Sequence, residues 1–252
     1  MNKIALITGA TSGIGKACAE KFAEKHYNVI ITGRRKERLD ELQKNLTSKY
    51  GVEVLSLNFD VRDNAQVEQN LNSLPTEWKN IDVLVNNAGL AAGKDPIQGA
   101  LLSDWEQMID TDVKGLLYVS RIVLSWMCSR NTGHVFNLCS IAGKEVYAGG
   151  SVYCAVKHAV DAISKGMRID CLQHNIKVTN ICPGAVETEF SMVRFKGDKE
   201  KNDATYKGFK PLTGEDVADS IIYCAMLPEH VNINDLVIMP TAQANSGLFF
   251  RQ

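Results

Sequence analysis

A short apolar run, Lys3-Ile4-Ala5-Leu6-Ile7-Thr8, passes without a spacer into Gly9-Ala10-Thr11-Ser12-Gly13-Ile14-Gly15 and then into a helical pattern from Lys16 to Glu24. Strand, glycine turn and helix in immediate succession restrict the fold more than any other feature, because they form the opening of a βα unit. Glycines at 9, 13 and 15 let the backbone approach a pyrophosphate closely, and the free amides at the helix N-terminus point towards its negative charge. The same residues would serve a plain tight turn. The order strand, cradle, helix favours the nucleotide.

The alternation continues along the chain. Apolar runs predict strands near 3–8, 28–32, 52–57, 81–85, 133–139, 176–181 and 234–239, and helical periodicity predicts helices near 14–25, 35–48, 64–73, 104–129, 151–173 and 214–226. Such a pattern makes a single doubly wound parallel sheet of the Rossmann type, with about seven strands and helices on both faces. With 252 residues, 45% of them hydrophobic, the chain has enough apolar material for one α/β domain over 1–252. A ligand belongs at the carboxyl ends of the strands, where the glycine cradle, Arg34, Asp60, Asn87, Ser140 and Pro183 all fall. Residues 187–212 interrupt this regularity with a basic insertion, Arg194, Lys196, Lys199, Lys201, Lys207 and Lys210, mixed with acidic residues.

The second strand decides between nucleotides. A free ribose hydroxyl calls for an acidic residue about 20 positions beyond the cradle. Here Gly33-Arg34-Arg35 follows Val29-Ile30-Ile31-Thr32 instead. A guanidinium forks onto a phosphate and stacks on adenine, so NADP is expected over NAD. The alternative is that Arg34, Arg35, Lys36 and Arg38 decorate the solvated start of a helix.

Charge and cysteine content exclude other functions. Against 29 acidic side chains stand 28 basic ones, a net charge of −1, which offers no field to attract nucleic acid or an anionic membrane. Met1 to Thr8 is too short an apolar run for a secretory signal, and no stretch approaches the ~20 apolar residues of a membrane span, so a soluble, cytoplasmic protein is expected. Seven scattered cysteines without a Cys-x-x-Cys pair suit a reducing compartment better than a disulfide or zinc framework. Cys139 and Cys154 adjoin candidate catalytic residues, so a reactive thiol is the lesser alternative to small core residues. His134 and His158 lack a partner at ligand spacing, and no metal is expected.

Tyr153 and Lys157 stand at i and i+4 of a predicted helix and so share a face. An ammonium beside a phenol favours the phenolate and lowers its pKa from about 10, which would make Tyr153 a general acid or base. Alone, the pair also fits any solvated helix face. Ser140, at the end of the fifth predicted strand, is the third candidate.

The cradle Thr8 to Gly15, Asn86-Asn87-Ala88-Gly89, Ser140, Tyr153 through Lys157, and Pro183-Gly184 with Thr188 together resemble the short-chain dehydrogenase/reductase superfamily over almost the full length. Within it, Gly33 to Leu39, Val193-Arg194-Phe195-Lys196-Gly197-Asp198 and His230-Val231-Asn232-Ile233-Asn234 resemble the NADP-dependent 3-hydroxy acid dehydrogenases, which act on serine, allo-threonine and related acids such as 3-hydroxypropionate.

The resemblance implies the following roles. Gly9, Thr11, Ser12, Gly13 and Ile14 line the pyrophosphate and ribose; Arg34 and Arg35 hold the 2′-phosphate; Asp60 and Val61 meet the adenine; Asn87, Ala88 and Gly89 pack beside the dinucleotide. Pro183, Gly184, Val186 and Thr188 reach the nicotinamide end. Tyr153 exchanges a proton with the substrate oxygen, Ser140 hydrogen-bonds that oxygen, and Lys157 binds ribose hydroxyls and depresses the Tyr153 pKa. A homotetramer is implied as well. Asp112 departs from the pattern, standing where the family carries an asparagine. A carboxylate pointing into the relay would raise the pKa values of Lys157 and Tyr153; if only the backbone carbonyl serves there, the change is silent.

The insertion at 187–212 is expected to fold over the site, with Arg194 clamping a substrate carboxylate; a solvated charged loop is the alternative. Three functions follow from this pattern: oxidation of 3-hydroxy acids or reduction of the corresponding semialdehydes and oxo acids, broad reduction of carbonyls and diketones, or NADPH binding by a catalytically weak regulatory protein. Intact Ser140, Tyr153 and Lys157 argue against the last.

Overall fold

A computed structural model of the chain describes residues 2–252. Seven strands, β1 (Ile4–Ile7), β2 (Asn28–Gly33), β3 (Val54–Asn58), β4 (Ile81–Asn86), β5 (Gly133–Leu138), β6 (Ile176–Pro183) and β7 (Asp235–Ile238), form one parallel sheet in the order β3-β2-β1-β4-β5-β6-β7. The central strands are largely apolar because both of their faces are covered; β1, Ile-Ala-Leu-Ile, is apolar throughout and all four of its residues are buried. At the β7 edge that demand lapses, and Val237 is 50% exposed.

The period of two in the strands sorts side chains between two layers. Val29 and Ile31 of β2 face α1 (Gly13–Glu24), α2 (Lys36–Tyr50) and α9 (Gly214–Ala225), packing with Phe22, Leu39, Leu46, Val217 and Ile221. Ile30 points the other way. It joins Leu6, Leu84, Val67 of α3 (Asn64–Asn72), Val119 of α5 (Leu116–Arg130) and Val160 of α6 (Ser151–Asp170). Each fully buried side chain of this size contributes about 1.5–3 kcal/mol relative to exposure. Local chemistry fixes the helix ends: Thr213 and Asp216 form a reciprocal capping box at the start of α9, and Gly51 closes α2 in the left-handed region at φ 69°.

Two expected elements differ. The periodicity predicts one helix over 104–129, but α4 (Leu102–Ile109) and α5 are separated by a wide π turn over Asp110–Gly115. Gly115 permits close packing there, since a Cβ on it would stand 2.7 Å from Val61 Cγ2. The turn carries Asp112 inward, where it is buried. Helix α6 stops at Asp170 rather than 173; Leu172–His174 tighten into a 3₁₀ turn closed by Asn175 at φ 56°.

The insertion forms two short helices, α7 (Phe190–Arg194) and α8 (Lys199–Tyr206), and a bridge between Val186 and Leu212 closes its base. Strands β1 and β4 lie side by side where the winding reverses, so a crevice opens beyond their carboxyl ends.

Candidate active site

The crevice is a cleft of about 340 Å³ whose wall includes the glycine cradle, Arg34, Arg35, Asp60, Val61, Asn87 to Gly89, Ser140, Tyr153, Lys157, Pro183, Gly184, Val186 and Thr188. The structure therefore brings together the residues singled out from the sequence, with two exceptions. Asp112 lies beneath the wall and Arg194 beside it.

The cradle is shaped by what it cannot hold. Gly9 adopts φ +67°, and a Cβ there would stand 2.9 Å from Ala88 Cα; on Gly15 a Cβ would come within 2.4 Å of Gly9 O and Asn87 Nδ2. Asn87 donates from Nδ2 to the Thr8 and Gly9 carbonyls at 2.9 and 3.1 Å, and the Asn87 and Ala88 amides donate to Thr8 Oγ1 at 3.0 Å. Asn87 thus locks the turn from the neighbouring strand. Ser12, the N-cap of α1, makes no side-chain bond to the first helical amides, which stay available to an anion. A backbone held this close with free amides fits the pyrophosphate of a dinucleotide.

At the next strand end, Arg35 is fixed and Arg34 is looser. Arg35 Nη2 donates to Thr11 Oγ1 at 2.7 Å and Ser12 Oγ at 2.8 Å, while Nη1 donates to Glu189 Oε2 at 2.7 Å. Arg34 Nη1 stands 3.8 Å from Asp60 Oδ2, whose closer partner is Arg62 Nη2 at 2.6 Å. The carboxylate that would favour a free ribose hydroxyl is missing from the end of β2, and a guanidinium cluster occupies its place.

Ser140, Tyr153 and Lys157 meet at the ends of β5 and α6, and all three are buried. Ser140 Oγ accepts from the Ala142 amide at 3.1 Å, which aims the hydroxyl. Lys157 Nζ donates to the Leu138 carbonyl at 3.0 Å and lies 5.8 Å from the centre of the Tyr153 ring. Beneath them Asp112 Oδ2 stands 3.0 Å from Lys157 Nζ, and Oδ1 accepts from the Leu90 amide at 2.9 Å. The side chain of Asp112, and not only its backbone, therefore reaches the lysine. Burial opposes the Lys157 ammonium, but Asp112 at ion-pair distance, together with Tyr153 and Cys139 nearby, outweighs it, and the lysine pKa lies above its ordinary range.

One expectation is corrected here. Lys157 was expected to bring the Tyr153 pKa below its ordinary value; instead burial pushes the phenol up to about 12, Lys157 opposing and Asp112 reinforcing the rise. The i, i+4 spacing gives the attraction of the ammonium but not the loss of water around the phenol, which is the larger effect. At neutral pH the Tyr153 phenol stays protonated. Cys139 is buried, its thiol donating to the Lys157 carbonyl at 3.2 Å, and Cys154 is also buried.

Beside Tyr153 the insertion supplies Phe190, 5.7 Å away between ring centres, and Arg194, whose guanidinium carbon lies 5.5 Å from both the Tyr153 and the Tyr147 rings. Arg194 Nε donates to the Gly93 carbonyl at 3.1 Å, and the Gly93 amide donates back to the Arg194 carbonyl at 3.0 Å. Arg194 Nη2 is buried without a hydrogen-bond partner. Of the insertion, Thr188, Glu189, Phe190 and Val193 line the cleft. Glu189, Tyr147 and Phe190 were not singled out from the sequence; each is an ordinary residue type whose partners lie far away along the chain. Among the described residues no three His, Cys, Asp or Glu side chains are grouped to hold a metal ion, and no helix is long and apolar enough to cross a membrane.

Comparison with known proteins places this geometry in context. Residues 3–199 match the short chain dehydrogenase family. The NADP-dependent 3-hydroxy acid dehydrogenase YdfG of Salmonella typhi is 49% identical over 246 residues, 97% of this chain and 98% of that protein. Sulfoacetaldehyde reductase 2 of Chromohalobacter salexigens is 44% identical, with 98% of each chain covered. Among solved structures, the closed form of serine dehydrogenase complexed with NADP+ superimposes with a TM-score of 0.92 at 47% identity, covering 99% of both chains.

Proposed function

Because the chain belongs to the short-chain dehydrogenase/reductase family and is an NADP-dependent oxidoreductase acting on hydroxyl groups, we propose that its substrates are small 3-hydroxy acids of the serine, allo-threonine and 3-hydroxypropionate type, or the corresponding semialdehydes and oxo acids. The observation that carries this is the unpartnered Arg194 Nη2 beside Tyr153. A buried guanidinium donor without an acceptor is costly, and a carboxylate satisfies it with a charge-assisted bond. The relatives above are named for the same chemistry, a 3-hydroxy acid dehydrogenase, a sulfoacetaldehyde reductase and a serine dehydrogenase.

The cofactor supplies hydride exchange at its nicotinamide. Gly9, Thr11, Ser12, Gly13 and Ile14 would hold its pyrophosphate and ribose, Arg34 and Arg35 its 2′-phosphate, Asp60 and Val61 its adenine, and Pro183, Gly184, Val186 and Thr188 its nicotinamide end. Tyr153 delivers a proton to the substrate oxygen during reduction and removes it during oxidation, and the Ser140 hydroxyl hydrogen-bonds that oxygen. A phenol that stays protonated at neutral pH favours reduction there and oxidation in alkali. Lys157 keeps its positive charge near the phenol, where it would also bind the ribose hydroxyls, and Asp112 holds that ammonium in place.

Arg194→Ala tests the reading. KM for a 3-hydroxy acid should rise at least about 10-fold, the equivalent of ~1.4 kcal/mol, while a neutral ketone is reduced with little change. An unchanged KM for the acid would remove Arg194 from substrate recognition and leave a carbonyl reductase of broad specificity as the better description.

A further inference from the structure

We propose that Glu189 is a specificity-determining residue: its carboxylate occupies the guanidiniums of Arg35 and Arg38 as an internal anion and competes with the cofactor's 2′-phosphate for them. The inference rests on the assignment of Arg35 to that phosphate. Both oxygens of Glu189 are engaged, Oε2 on Arg35 Nη1 at 2.7 Å and Oε1 on Arg38 Nη1 at 2.6 Å. These contacts bridge more than 150 positions of sequence and close across the cleft, of which Arg35 and Glu189 both form the wall. Arg35 is the N-cap of α2 and Arg38 lies in its first turn, so the cations sit at the end of a helix whose dipole also favours an anion.

The remaining Arg35 bonds go from Nε and Nη2 to the hydroxyls of Thr11 and Ser12. Four of its five N–H donors are thus taken, by two hydroxyls and one carboxylate, and one Nη1 donor remains. A phosphate that engages Arg35 through two donors must displace one of these partners, and only Glu189 also repels it. The ion pairs are weak enough to yield, because the side chains of Arg35, Arg38 and Glu189 are 41, 46 and 45% exposed. Glu189 is also the N-cap of α7, the helix that ends in Arg194, and Lys196 just beyond it pairs with Asp104 Oδ2 at 2.8 Å. The segment over the site is therefore clasped on its cofactor side by Glu189 and on its substrate side by Arg194 and Lys196. Phosphate binding releases the first clasp and leaves the second.

The test is equilibrium binding of 2′,5′-ADP and of 5′-AMP to the whole chain, its Glu189→Gln variant and its Arg35→Ala variant, at one fixed low ionic strength. Glu189→Gln should bind 2′,5′-ADP about 3- to 10-fold more tightly and 5′-AMP unchanged, the loss of one exposed competing pair and one repulsion. A role confined to stabilising the segment would not move the ratio of the two affinities. Unchanged or weaker 2′,5′-ADP binding, or equal tightening of both ligands, would overturn the competition while an Arg35→Ala loss selective for 2′,5′-ADP keeps the phosphate assignment. An Arg35→Ala variant that retains full preference for 2′,5′-ADP would remove that assignment and the competition with it.

Discussion

Tyr153→Phe should lower kcat by about 10²–10⁴-fold in both directions while NADPH still binds within about 3-fold of its original affinity. The substitution deletes one oxygen from a ring that is 8% exposed, so packing against Phe190 is kept and the proton carrier alone is lost. Ser140 is a poor replacement. Its hydroxyl is aimed by the Ala142 amide, and a serine proton is far harder to move at neutral pH than one whose pKa is about 12. Stopped-flow absorbance separates the chemical step from product release, and cofactor fluorescence reports binding. A loss smaller than about 10-fold would place the transferred proton on another group, and Tyr147, which shares the Arg194 guanidinium with Tyr153, would be the phenol to examine.

The buried pair of Lys157 and Asp112 should give the largest stability effects and a diagnostic pH profile. Their side chains are 7% and 0% exposed, so removing one partner strands the other charge. Lys157→Met is expected to destabilise the fold by about 3–5 kcal/mol, and adding Asp112→Asn should restore much of that loss. Urea unfolding of the two single variants and the double variant measures the coupling. Additive losses would mean that the two groups do not share a charge interaction. Asp112→Asn alone should keep activity and shift its pH dependence. The Asp112 carboxylate raises the Tyr153 pKa, so its removal makes the phenolate easier to form. The rising limb of alcohol oxidation then moves to lower pH, by at least about half a unit, and the falling limb of carbonyl reduction moves the same way. Coincident profiles for the two proteins would show that Asp112 does not act on Tyr153.

The sheet was legible because its central strands are buried on both faces and are written as largely apolar runs; the observed strand bounds depart from the expected ones by no more than two residues at either end. The glycine cradle was legible because Gly9 needs a left-handed φ and Gly15 cannot carry a Cβ, requirements that leave a mark in sequence. The break between α4 and α5 left none. Residues 110–115, Asp-Thr-Asp-Val-Lys-Gly, contain no proline, and a π turn costs one wider ring of hydrogen bonds without demanding a special residue before Gly115. The Tyr153 pKa was missed for a related reason: spacing shows which charge is near a phenol, whereas burial depends on Leu90, Met108, Ala142 and Phe190, which the fold packs around it. Glu189 was invisible since an exposed glutamate in a mixed-charge segment has no pattern until the fold brings Arg35 and Arg38 to it. Arg194 could be suggested only from its residue type and its place in the basic insertion, and its unpartnered donor is visible only in three dimensions.

The most direct test of the assigned chemistry is the initial rate at 340 nm with NADP or NAD, using L-serine, L-allo-threonine and 3-hydroxypropionate as alcohols and, in reverse, malonic semialdehyde beside a neutral diketone. Turnover of the acids, with NADP strongly preferred and the semialdehyde reduced faster than the diketone, is the result expected from Arg35 at the phosphate end and Arg194 at the carboxylate end. Reduction of the diketone with no turnover of any acid would contradict it, leaving hydride transfer at Tyr153 in place and taking the 3-hydroxy acids out of the site.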